Sequence, residues 1–70
     1  MTGIYYLSDG LDVLYVGQSR DVASRVSNHR SKGLDFAGYF VDQCPESELD
    51  AREVAAITEF KPRLNEQLRG

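Results

Sequence analysis

Five side chains in this sequence are of the types that move protons and hold phosphate: Tyr5, Tyr15, Arg25, His29 and Glu53. Phenols, a guanidinium, an imidazole and a carboxylate, without a thiol nucleophile or a serine triad, suit hydrolysis of a phosphodiester better than acyl transfer. Each has an ordinary reading when taken alone. Two tyrosines facing across a hairpin are usually sheet packing. A single arginine is usually a solvated charge, and a histidine beside an apolar stripe is usually structural. Asn65, after a helix end, is usually a turn residue.

Glu53 fits its ordinary surroundings worst. At about 100° per residue it falls between Phe60 and Ile57, inside the apolar stripe that Leu49, Ala56, Phe60 and Ile57 form. A carboxylate there is costly unless something pairs with it. Two readings stand side by side: a core glutamate salt-bridged to an arginine such as Arg25, or a metal ligand or acid/base group facing a cleft.

The elements that position these residues follow from the apolar pattern. Residues 3–7 and 13–17 are rich in Ile, Val, Leu and Tyr and read as strands, with Ser8-Asp9-Gly10 as the turn between them. A hairpin centred on Gly10 sets Tyr5 opposite Tyr15, Gly3 opposite Gly17 and Leu7 opposite Val13. On the other face Ile4 meets Val16 and Tyr6 meets Leu14. The second face reads as core. The first carries a tyrosine pair framed by glycine, where a ligand backbone can come close.

Residues 21–31 read as a helix with Asp21 as N-cap and Val22, Ala23 and Val26 as its apolar stripe. Arg25 and His29 are one turn apart on one face. Gly33 ends this helix. Residues 34–41 read as a third strand, with Leu34, Phe36, Gly38 and Phe40 on one side. Ser47 and Asp50 have the spacing of a capping box, and a second helix runs to about Phe60, because Lys61 precedes a proline. No internal repeat interrupts the chain. The expectation is one α+β domain over residues 1–70, in the order β-β-α-β-α.

Seventy residues form one domain with a small core, burying only about 60% of the unfolded surface. No apolar run approaches the roughly 18 residues that span a bilayer, and no basic-then-apolar leader opens the chain. Cys44, alone and next to Pro45, can form neither an intrachain disulfide nor a thiolate cluster, and reads as a passive thiol. These features lead to the expectation of a cytoplasmic protein without membrane contact. The net charge of −3 disfavours a general nucleic-acid surface. Its distribution is uneven, however. Arg20, Arg25, Arg30 and Lys32 stand against Asp21 alone in the first helical region, whereas acids dominate residues 35–60. Such a basic patch can meet phosphate locally.

The ordered motifs then add a family resemblance. Gly3-Ile4-Tyr5, followed ten positions after Tyr5 by Tyr15-Val16-Gly17, resembles the paired tripeptide signature of the GIY-YIG endonuclease family, with Val16 in the place of the middle isoleucine. The likeness continues through YVGQSRDVASRV, which puts Arg25 at the family's catalytic arginine, and His29 four residues on. It ends in Glu53 ahead of an apolar pair and in KPRLN, which carries Asn65.

The resemblance implies a small three-stranded antiparallel sheet flanked by helices. It also implies hydrolysis of DNA, or less readily RNA, at one Mg²⁺ or Mn²⁺ ion held by Glu53. Arg25 would bind the scissile phosphate, Tyr5 or Tyr15 would activate water, and His29 would orient a tyrosine or accept a proton. Gly17, Arg20, Arg30, Lys32 and Asn65 are expected to touch substrate, with Asn65 alternatively fixing a loop. One site cuts one strand, so a double-strand break requires a homodimer or a second visit. No visible element encodes sequence specificity, which a partner protein would then supply. The alternative is a catalytically silent module of the same fold that binds nucleic acid or a protein partner.

Overall fold

Strands β1 (Gly3–Ser8) and β2 (Val13–Ser19) form the expected hairpin in a computed structural model that describes residues 1–68, with side chains to residue 65. Helix α1 (Val22–Ser31), strand β3 (Gly38–Gln43), a 3₁₀ turn (Glu46–Glu48), helix α2 (Leu49–Phe60) and helix α3 (Arg63–Leu68) follow. The sheet order is β2-β1-β3, and both pairings are antiparallel. This is the small α+β sheet-and-helix fold that the sequence predicts, extended by α3, which it does not.

The hairpin register differs from the expected one. Tyr5 lies opposite Gly17 and Leu7 opposite Tyr15, and a bulge then brings Ser8 opposite Val13. The turn sets this arrangement. Asp9 Oδ1 accepts from the amides of Leu11 and Asp12 at 2.9 and 2.8 Å, and the Asp9 amide donates to the Asp12 carbonyl at 3.2 Å. Gly10 takes a left-handed φ of 99°. A turn held over residues 9–12 moves the hairpin centre beyond Gly10, and the bulge absorbs Leu14 as the unpaired residue. Tyr5 and Tyr15 therefore keep a common face, but as diagonal neighbours rather than an opposed pair. The bulge exchanges Leu14 and Val13 between the two faces.

Both faces are core. Tyr5, Leu7 and Leu14 pack with Val22 and Val26 of α1 and with Phe36. Ile4 and Val16 pack with Cys44, Leu49 and Ala56, flanked by Tyr6, Val13 and Ile57. Fully burying side chains such as Ile4, Leu7, Val16 and Val22 contributes about 1.5–3 kcal/mol each. Of the expected α1 stripe, Val22 and Val26 are buried and Ala23 is exposed.

The third strand starts later than the alternation suggests. Gly33, at φ 85°, ends α1, and the Leu34 amide returns to the His29 carbonyl at 3.1 Å. Leu34 and Phe36 then join the α1-side core from an irregular segment. Pairing with β1 begins where the Ala37 amide meets the Ser8 carbonyl at 2.8 Å. Phe36 and Phe40 therefore do not share a face: Phe36 is buried and Phe40 is 66% exposed.

The Ser47–Asp50 capping box does not form. The 3₁₀ turn runs directly into α2, whose N-cap is Glu48 without a side-chain bond. At the other end Lys61 leaves the helix as expected before a proline, through a left-handed φ of 47° that returns its amide to Ile57. The expected wheel holds for Leu49, Ala56 and Ile57. Phe60 is half exposed, edge-on to Tyr6 with ring centroids 5.7 Å apart.

Candidate active site

Tyr5, Tyr15, Arg25 and His29 come together on the α1 side of the sheet. Tyr5 lies on the central strand and is 1% exposed. Its hydroxyl oxygen is 2.8 Å from His29 Nε2, in the last turn of α1. Tyr15 completes the group, its ring 5.1 Å from His29 and 6.1 Å from Tyr5. Asp21 starts the helix as expected, accepting from the Ser24 amide, and so sets the phase that brings His29 over the tyrosines.

The electrostatics of the Tyr5–His29 pair are one-sided. Burial pushes the Tyr5 hydroxyl up to about 12, against the opposing pull of the Arg25 guanidinium. Burial also pushes His29 below its ordinary value, helped by the positive charges of Arg25 and Lys32. Both groups are therefore neutral at neutral pH. The phenol keeps its proton, and the imidazole tautomer sets which way the bond between them runs.

Gly17 has a different task from the one expected. A Cβ at this position would run into the ring and hydroxyl of Tyr5. The missing side chain thus seats Tyr5 rather than exposing backbone to a ligand. Gly3 is likewise closed, with the Asp42 carbonyl 2.5 Å from where its Cβ would lie.

Glu53 belongs to a second group, on the α2 side. It is half-buried, at the edge of the apolar stripe. No ion pair joins it to Arg25 among the described residues, so the salt-bridge reading does not hold. Its partner is Gln18, whose Nε2 donates to Glu53 Oε1 at 3.3 Å and to Asp50 Oδ1 at 2.8 Å. The two carboxylates are hard oxygen donors, and the carboxamide nitrogen turned toward them is a hydrogen-bond donor. The carboxylates fit a Mg²⁺-like ion that keeps most of its water. A closed cage is not offered: among the described residues no three His, Cys, Asp or Glu side chains cluster.

The two groups meet on β2. Gly17 seats Tyr5 from one face of the sheet, and Gln18, the next residue, reaches Glu53 from the other. β2 is an edge strand of the sheet, so the two groups lie on either side of one edge. Asn65 closes the same edge just before them: its side chain accepts from the Val16 amide and donates to the Val16 carbonyl, both at 2.8 Å. Of its two expected roles, the structure shows the anchoring one.

The remaining basic residues are dispersed. Arg20 pairs with Glu46 at 3.5 Å on the surface. Arg30 sits over the Phe36 ring at 4.2 Å. Lys32 lines a shallow cavity of about 290 Å³ with His29, Gly33 and Leu34. A larger concavity of about 460 Å³, near the 9–12 turn and the α2–α3 junction, holds none of the expected site residues.

Gln18 and Asp50 are the contacts that sequence reasoning missed. A signal was present, since β-alternation puts Gln18 on the face opposite Tyr15 and Gly17, where an amphipathic helix must cover the sheet. No helix among the described residues is long and apolar enough to cross a membrane. No protein-family model matches the chain, and no curated protein is significantly similar to it.

Proposed function

We propose that this chain is a GIY-YIG-like, divalent-metal-dependent endonuclease that hydrolyses phosphodiester bonds of DNA, one strand per site. The observation that carries the reading is the Tyr5–His29 hydrogen bond, with Tyr15 and Arg25 beside it. Core packing does not require a phenol and an imidazole held neutral against each other below a guanidinium.

In this reading Arg25 binds the scissile phosphate with charge-assisted hydrogen bonds, which strengthen as negative charge builds on its oxygens. The attacking water meets the tyrosine pair at Tyr15, its more exposed member. As the water oxygen bonds to phosphorus, its proton enters the pair and the Tyr5 proton moves to His29 Nε2. The proton thus ends on an imidazole, without a free phenolate at Tyr5. The leaving oxygen takes a proton from solvent. Glu53, with Asp50 beside it, would hold a divalent ion, and that ion would supply Lewis-acid stabilisation of the phosphate and leaving oxygen. Cutting both strands calls for a homodimer or a partner protein, and the chain's net charge of −3 makes DNA affinity weak and salt-sensitive.

A second reading, a silent module that binds nucleic acid or protein without cutting, is favoured by the near-complete burial of Tyr5. Nicking of supercoiled plasmid at low salt, with Mg²⁺, Mn²⁺ or EDTA, separates the two. Metal-dependent nicking that Glu53→Ala abolishes while remaining folded supports the nuclease. A folded wild type that binds DNA but cuts it with neither metal supports the silent module.

A further inference from the structure

Among the described residues, Gln18 is the one hydrogen-bond partner of both Glu53 and Asp50. The two acids are three residues apart on α2 and so share a helix face, where their charges repel. Gln18 comes from outside that helix. It lies opposite Ile4 in the hairpin register, on the sheet face that α2 covers, one residue after the glycine that seats Tyr5. Its carboxamide nitrogen has two N–H groups, one for each carboxylate. A glutamate at the edge of an apolar stripe would otherwise sample several rotamers. The bond from β2 fixes which way the Glu53 carboxylate faces and keeps Asp50 next to it.

We infer that Gln18 is a positioning residue for Glu53: through its carboxamide, β2 holds the carboxylate of α2 in register with the tyrosine cluster on the opposite face. The inference rests on the reading of Glu53 as the ligand of a divalent ion. Groups that hydrogen-bond a metal-ligating side chain typically contribute 10–100-fold to affinity or activity. Gln18→Met keeps the length and most of the volume of the side chain and removes the donors.

The first measurement needs no metal. The Gln18 side-chain amide is assigned by ¹⁵N NMR in the wild type, Glu53→Gln and Asp50→Asn. Its resonances are expected to move in both variants, and unmoved resonances overturn the bond. The second is Mn²⁺ binding followed by electron paramagnetic resonance, in a double-mutant cycle. Gln18→Met is expected to weaken Mn²⁺ binding about 10-fold or more in the wild-type background, and to have no further effect on Glu53→Gln. Undiminished binding by a folded Gln18→Met overturns the positioning role and leaves the nuclease reading standing. An equal loss in both backgrounds overturns it too, because the effect then does not pass through Glu53. A wild type that binds no Mn²⁺ while the amide shifts occur as expected removes the metal reading itself. Gln18 then remains a β2–α2 tie without a ligand to position.

Discussion

The hydroxyl of Tyr5 and Nε2 of His29 are 2.8 Å apart, joining the central strand of the sheet to the last turn of α1. Tyr5→Phe keeps the ring that fills the space over Gly17 and removes only this bond. The loss leaves the imidazole nitrogen without a partner, and the expected cost is about 1 kcal/mol. For a domain of this size that lowers Tm by about 4–8 °C. The same variant tests the protonation state. Burial raises the Tyr6 phenol as well, so the diagnostic signal in an alkaline titration followed by tyrosinate absorbance is a phase near 12 that Tyr5→Phe removes. Since the folded value lies above the ordinary one near 10, stability should decline as pH rises from about 10 to 12.

His29 predicts a second pH window with the opposite slope. Its folded pKa lies below the ordinary value, so the unfolded chain binds the proton more readily. Stability is full above about 6.5 and falls as pH drops through the depressed folded value. Thermal melts between pH 8 and 5 should show this decline, and His29→Gln should flatten it. Asp9 and Asp21, both held low by local hydrogen bonds, act only below the ordinary carboxylate range and do not overlap with it. Cleavage should fall over the same window as Nε2 becomes occupied.

Gly17→Ala is expected to be among the worst single-methyl changes in the protein. The methyl meets the Tyr5 ring, and that ring is enclosed by core. Overpacking of this kind costs about 1–3 kcal/mol. Urea denaturation should register the loss, and the near-UV circular dichroism of the tyrosines should change with it. An unchanged spectrum and midpoint would mean that the ring has free space to retreat into.

Asn65→Ala separates anchoring from substrate contact. It strands the amide and carbonyl of Val16, at a cost of about 1–3 kcal/mol. Hydrogen exchange at the Val16 amide should accelerate, while KM measured well below the melting temperature should stay the same. A raised KM with unaltered stability would instead make Asn65 a phosphate contact.

What could be read in the chain was whatever depends on residue type and period. Tyr5 and Tyr15 share a face because the observed register, like the expected one, sets odd-numbered residues opposite odd-numbered ones, and the Arg25–His29 face follows from helical spacing and the Asp21 cap. The register could not be read, because it depends on Asp9 bonding two amides, which a Ser-Asp-Gly turn signal does not distinguish from a tighter turn. Leu34 and Phe36 look like strand because alternation records burial, and an irregular segment lying on α1 buries residues just as well. Gly17 looked open because glycine leaves space, and only the fold tells whether a neighbour has taken it. Asn65 and Gln18 act across large sequence separations, where local pattern carries no information.

That last separation has a kinetic side. The bonds from Asn65 to Val16 span 49 residues, and among the hydrogen bonds described here none reaches further along the chain. Contacts of that range close late, after the local hairpin and helices have formed. During synthesis β2 emerges with its outer edge unpaired, and it stays so until residue 65 has left the ribosome. For that interval the strand that seats Tyr5 and holds Gln18 is a bare template for pairing with another chain. Once formed, the two bonds take the Val16 position out of that template, so the asparagine that anchors the site also shortens the edge open to another chain.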